Sequence, residues 1–182
     1  MINLNHYVSH NQNSIILIDN HFLTGDKIMK GNESVLKTLN AMLADELTAI
    51  NQYMVHSEMC ADWGYGKLHE AVEKRAIAEM KHAESLIGRI LFLEGTPTVT
   101  VLNKISIGGD VLKQFQNDLA AELTAIKDYN AAMKVASDAA DNGSRELIKS
   151  LLLDEEEHAD WLETQLEQIK QIGLENYLIE QI

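Results

Sequence analysis

The chain repeats itself around two tetrapeptides, each with a glutamate three residues before a histidine. The first is Glu79-Met80-Lys81-His82 and the second is Glu155-Glu156-Glu157-His158. A lone glutamate precedes each at the same distance: Glu46 stands 33 residues before Glu79, and Glu122 stands 33 residues before Glu155. The two halves are offset by 76 residues, and Asp45-Glu46-Leu47-Thr48-Ala49-Ile50 returns as Ala121-Glu122-Leu123-Thr124-Ala125-Ile126. Tyr53 and Tyr129 each follow their lone glutamate by seven residues. Two copies are too few for a stacked repeat array. The duplication predicts two half-sites inside one domain.

The residues around these motifs follow a helical period. Leu36, Leu39, Leu43, Leu47, Ile50 and Met54 recur at steps of three and four. Asn32 is a good N-cap, and a first helix is predicted from there to about Asp62. A second helix is predicted from about Lys67 to Leu93, closed by Gly95 and Pro97. Residues 95–110 form the long connection. Asp110 caps a third helix that reaches about Ala139, and Asp141-Asn142-Gly143 reads as a tight turn. A fourth helix runs to Ile172, Gly173 stops it, and a short fifth helix follows within residues 174–181. Four long helices joined short, long, short predict an all-α fold. It is a ferritin-like antiparallel four-helix bundle with one long crossover and a short fifth C-terminal helix.

Residues 1–31 have no helical period and are rich in Asn and His. Their apolar run, Ile15 to Ile18, is too short for a secretory core and no Lys or Arg precedes it. They read as a disordered, dispensable extension, with Met29 as an alternative natural start, and residues 32–182 as the domain. The net charge of -13 argues against nucleic acid as a partner. The single cysteine, Cys60, excludes an intrachain disulfide and a Cys-x-x-Cys site. No apolar run approaches the roughly 18 residues of a membrane span. A cytoplasmic setting is expected.

On a wheel of about 100° per residue, Glu46 falls among Leu39, Met42, Leu43, Ile50 and Tyr53. Glu79, Glu122 and Glu155 fall inside the apolar stripes of their own helices in the same way. Four carboxylates in one core would cost several kcal/mol each unless paired or metal-bound. No Lys or Arg occupies a matching inward position on the first, third or fourth helix. Arg75 lies at the edge of the second helix's stripe, and one cation cannot neutralise four anions. Two divalent cations can. Glu-x-x-His puts carboxylate and imidazole on one helical face, a donor set that suits iron or manganese, and zinc less specifically. Two such motifs with two matched glutamates correspond to a di-iron carboxylate site. Only Glu155 of its acidic run aligns with Glu79, so Glu156 and Glu157 read as solvated. Met80 points away from Glu79 and His82, outward from the bundle.

From Met29 onward the chain resembles bacterioferritin. The likeness rests on Ala49-Ile50-Asn51-Gln52-Tyr53, Glu79-Met80-Lys81-His82-Ala83, Arg89 to Gly95, Asp154-Glu155-Glu156 with His158, Asp160 to Thr164, and Gly173 to Leu178. The resemblance implies iron storage: a ferroxidase that oxidises Fe(II) with oxygen or hydrogen peroxide and stores ferric mineral. It implies a 24-subunit shell built from two-fold dimers, a homo-oligomer or a hetero-oligomer with a related subunit, served by a ferredoxin-type reductant. It implies six di-iron ligands, Glu46, Glu79, His82, Glu122, Glu155 and His158. Met80 falls on the family's axial ligand to a haem b shared between two subunits. Tyr53 faces the site as a candidate redox residue, whereas Tyr129 and Trp161 read as core. Two features depart from the family pattern. Residues 1–28 have no counterpart, and the His and Asp that give some members a cavity-facing iron site are here Lys74 and Ala78. Without that site, iron is expected to leave by movement of His158, as through a gated pore. The alternatives are another di-iron oxidoreductase of the peroxidase type and a metal-free structural bundle.

Overall fold

A computed structural model describes residues 29–182, and the expectations for residues 1–28 lie outside the described residues. Five helices follow in order: α1 Glu33–Asp62, α2 Gly66–Phe92, α3 Val111–Asp138, α4 Asn142–Ile172 and the short α5 Leu174–Ile179. α1 packs along α2, α3 along α4, and α1 also against α3. This is the four-helix bundle with one crossover that the spacing predicts.

The helix ends explain themselves. Asn32 accepts a hydrogen bond from the Ser34 amide at 2.8 Å, and Asp110 accepts one from the Lys113 amide at 2.8 Å. Each satisfies an amide that has no partner inside its helix. The turn expected at 141–143 is tighter than the sequence suggests. Asp141 caps α4 by accepting from the Ser144 amide at 3.0 Å, so Asn142 and Gly143 already lie in the helix. Asp141 also takes Arg89 of α2 at 2.5 Å. Gly173 adopts φ 82°, where a side chain would be strained, and there α4 gives way to α5.

The crossover is long yet ordered, because α1 supplies its hydrogen bonds. Thr98 N–H donates to Asn40 Oδ1 at 2.7 Å, Asn103 N–H to Thr48 Oγ1 at 2.7 Å, Ser106 N–H to Gln52 Oε1 at 2.8 Å, and Gly108 N–H to His56 Nε2 at 3.0 Å. The last three acceptors are spaced four apart on one face of α1 and serve an extended segment in place of a neighbouring strand. Gly108 is required there, since a Cβ would come within 2.3 Å of the Gln114 backbone nitrogen.

The apolar core falls into two main clusters. Leu39, Leu43, Leu86, Ile90 and Ile148 fill one end of the bundle. Cys60, Leu68, Phe115, Leu162 and Tyr177 fill the other. α5 joins the second cluster through Tyr177, whose hydroxyl donates to Gln165 Oε1 at 2.7 Å. The functional side chains occupy the middle of the helices, between these clusters.

Candidate metal centre

Every helix of the bundle sends one glutamate into the middle of the core. Glu46 from α1, Glu79 from α2, Glu122 from α3 and Glu155 from α4 are each 3% exposed or less. His82 and His158 join them from α2 and α4, buried at 6% and 9% exposure. Two overlapping donor groups result. One holds Glu46, Glu79, His82 and Glu155; the other holds Glu79, Glu122, Glu155 and His158; in each, the ligand atoms lie within 4.8 Å of one another. Glu79 and Glu155 belong to both groups, so the two Glu-x-x-His glutamates are shared between them. Such buried carboxylate and imidazole sets can hold metal ions, and the pair is compatible with a di-iron site.

The imidazoles turn the same edge inward. His82 Nδ1 lies 3.0 Å from Glu79, 3.1 Å from Glu155 and 3.6 Å from Glu46. His158 Nδ1 lies 2.8 Å from Glu79, 3.2 Å from Glu155 and 3.6 Å from Glu122. The two rings stack with centroids 6.1 Å apart. Glu79 Oε1, Glu155 Oε1 and His158 Nδ1 are nevertheless buried without a hydrogen-bond partner. They are close but not aligned on one another. Buried polar atoms are almost always satisfied, and these aim at shared points, as metal ligands do.

The electrostatics tell the same story. Burial raises Glu46 well above the ordinary carboxylate range and pushes Glu122 up to about 8. Burial opposes ionisation of Glu79 and Glu155 too, but the neighbouring His158 and His82 hold Glu79 below its usual value and Glu155 at about 2. Burial disfavours the charge on His158, yet Glu122, Glu155 and Glu79 raise it to about 11. His82 is raised as well, against the same desolvation, by Glu155, Glu46 and Glu79. The carboxylates that face the two imidazoles thus favour their protonated forms.

Two tyrosines cross between the halves. Tyr53 on α1 donates to Glu122 on α3, and Tyr129 on α3 donates to Glu46 on α1 at 2.5 Å. Burial raises both phenols well above their ordinary value, the nearby glutamates adding to it. Tyr129, which the sequence reads as core, is 1% exposed and bonded to one of the six residues. Its signal was the repeat itself, since it stands where Tyr53 stands.

Both sides of the centre meet open space. A cavity of about 190 Å³ reaches Glu46, Glu79, Glu122 and Glu155, with Asp45 and Lys104 also in its wall. Burial, with Asp128 nearby, raises Asp45 to about 6. Along α2 and α4, two further pockets share Lys74 and Ala78. One of about 430 Å³ is lined by His158, Arg75 and Trp161; the other, of about 380 Å³, by His82 and Asp154. Arg75 does not enter the carboxylate cluster; its guanidinium lies 4.9 Å above the Trp161 ring.

The remaining predicted residues separate cleanly. Glu156 and Glu157 are exposed. Met80 is 54% exposed and Ile77, three residues before it, 44%, an apolar strip on α2 away from the carboxylates. Sequence reasoning passed over a second buried polar group, Gln52, His56 and Asp118. The spacing of Gln52 and His56 at i and i+4 on α1, with Asp118 four before Glu122, was its signal.

Residues 36–172 match the ferritin-like domain model. The chain is 40% identical over 149 residues to a bacterioferritin of Mycolicibacterium paratuberculosis, covering 82% of this chain and 94% of that protein. It is 40% identical over 151 residues to a bacterioferritin of Rhodobacter capsulatus, covering 83% and 94%. It is 43% identical over 155 residues to a bacterial ferritin of Synechocystis, covering 85% and 99%. Nearly whole-length likeness to all three, on a bundle with this duplicated centre, means that the chain belongs to the bacterioferritin family.

Proposed function

We propose that this chain stores iron as a subunit of a 24-subunit shell and oxidises Fe(II) at the centre formed by Glu46, Glu79, His82, Glu122, Glu155 and His158. The observation that carries the reading is the pair of overlapping donor groups with three buried, unpartnered polar atoms. Two Fe(II) are the substrate. Each gives up one electron. With two protons, the pair reduces hydrogen peroxide to two waters, or dioxygen to hydrogen peroxide. Glu79 and Glu155 reach both irons, while Glu46 with His82 and Glu122 with His158 complete one position each. Tyr53 hydrogen-bonds Glu122 and stands within reach as a further electron source. Iron reaches the centre by the cavity beside Asp45 and Lys104. It leaves past His158, whose ring lines the larger pocket at Ala78.

Haem would be held on the outer face of α2. Met80 offers an exposed thioether on an apolar strip, a donor suited to haem iron. Met80 would hold the haem together with the same residue of a second copy. Haem would supply an electron path for mineral reduction. A chain beginning at Met29 should assemble and oxidise iron unchanged.

The experiment is to measure assembled mass together with anaerobic Fe(II) binding and its oxidation. A shell that binds two Fe(II) per chain, oxidises them fast and retains ferric mineral is the expected result. Oxidation without retained iron would instead indicate a peroxidase-type enzyme. For haem, Met80→Leu should give a colourless shell with unchanged iron oxidation. An unaltered haem spectrum in that variant would remove Met80 from the role. No helix among the described residues is long and apolar enough to cross a membrane.

A further inference from the structure

The two histidines are alike in their inner edges and unlike in their outer ones. His82 Nε2 lies 3.1 Å from Asp154 Oδ2. For His158 Nε2, no hydrogen bond is found among the described residues. Asp154 stands immediately before Glu155, and Glu155 Oε1 lies 3.1 Å from Nδ1 of the same ring. Adjacent residues of α4 therefore face both edges of His82, Asp154 through a hydrogen bond and Glu155 by proximity. A carboxylate at Nε2 keeps the proton on that nitrogen and leaves the Nδ1 lone pair facing inward, the tautomer a metal needs. The repeat places Ala78 before Glu79 where Asp154 precedes Glu155. Ala78 lines the pocket beside His158 and has no group to offer it.

Resting on the di-metal reading above, we propose that Asp154 is a positioning residue for His82, and that its absence from the other half leaves the two metal positions unequal. Asp154 is 54% exposed, which suits a partner that orients a ligand without displacing it. The position completed by His82 is pre-organised and fills first. The position completed by His158 is the weaker, and its ligand is the one free to turn. The larger pocket gives that ring room to move, whereas turning His82 breaks a hydrogen bond.

The test is titration of the full-length, iron-free protein with Co(II), read by its visible d–d absorption. Wild type should take two Co(II) per chain in two steps. Asp154→Ala should weaken the tighter step by about 10- to 100-fold, the usual cost of losing an outer partner of a ligand, and alter its spectrum. Asp154→Asn should restore most of it, since an amide oxygen accepts the same hydrogen bond. Ala78→Asp should tighten the weaker step. Unchanged titration in Asp154→Ala, or an equal shift in both steps, would overturn the role of Asp154 while leaving the centre in place. A wild type that bound no Co(II) would overturn both readings. Because Asp154 is exposed, Asp154→Ala is expected to fold, and Glu156→Ala, at an exposed neighbour, controls for lost surface charge.

Discussion

Two polar clusters lie buried side by side in this bundle, and they treat their hydrogen bonds in opposite ways. In the first, Asp118 accepts from Gln52 Nε2 at 2.7 Å and from His56 Nδ1 at 3.0 Å. His56 Nε2 and Gln52 Oε1 accept in turn from the Gly108 and Ser106 amides. Every donor there meets an acceptor, and each nitrogen of His56 has one defined partner. In the second cluster, four carboxylates face two imidazoles, and three buried atoms lack a partner. A satisfied buried network fixes one structure, whereas an unsatisfied one is costly unless something else completes it. The first cluster pins the crossover to α1. The second could hold metal ions.

Paired substitutions should separate the two with the largest effects. Glu122→Ala removes one of the six proposed ligands, and the proposed fast oxidation of two Fe(II) per chain should fall by more than about 100-fold. The bundle should still fold, because Glu122 is largely protonated near neutral pH in the iron-free protein and its loss removes little charge. Asp118→Ala should do the reverse. It strands two buried donors, at roughly 1–3 kcal/mol each, so thermal unfolding should move down while iron oxidation persists. Fast oxidation in Glu122→Ala, or full stability in Asp118→Ala, would erase the distinction.

A smaller and more diagnostic effect is in pH. Glu122 titrates near 8 when folded against about 4.5 unfolded, and His158 near 11 against about 6.5. The iron-free folded protein therefore holds more protons than the unfolded chain between about pH 4.5 and 11, and its stability should fall as pH rises through that range. Glu155, near 2 when folded, works oppositely: stability is lost as pH falls from about 4.5 towards 2. Metal displaces these protons, so its stabilisation should grow with pH. Melting temperatures of iron-free and Co(II)-loaded protein should diverge from pH 5 to pH 8. A gap that stays constant would mean that metal and proton do not compete for these groups.

The sequence showed more of the second cluster than of the first, for a physical reason. Glu46, Glu79, Glu122 and Glu155 are charges inside apolar stripes, repeated at a fixed offset, and that conflict is visible in one dimension. Gln52, His56 and Asp118 carry no such repeat. Their meaning comes from the crossover amides at Ser106 and Gly108, which only the fold brings to α1. Asp154 was obscured by its acidic neighbours, because its partner His82 lies on another helix. The helix boundaries were readable from Asn32, Asp110 and Gly173. Asp141 was misjudged as part of a turn because a cap and a turn use the same residues.

The tyrosines join the two kinds of order, and substituting them should give the smallest effects. Tyr53 and Tyr129 are satisfied donors whose acceptors, Glu122 and Glu46, belong to the unsatisfied centre. Phenylalanine keeps the ring and removes only the hydroxyl. In the iron-free protein, each Tyr→Phe change leaves a glutamate oxygen short of one donor and should cost about 1 kcal/mol. Metal bound to that glutamate offsets the loss, so the cost should shrink when Co(II) is present. If the phenols only orient carboxylates, Tyr53→Phe and Tyr129→Phe should match in stability and in oxidation rate, as the repeat makes them equivalent. If Tyr53 also lends an electron, Tyr53→Phe alone should slow oxidation and remove any tyrosyl radical signal seen by electron paramagnetic resonance during turnover. Equal oxidation rates with an unchanged radical signal in Tyr53→Phe would leave it a hydrogen-bond donor and nothing more.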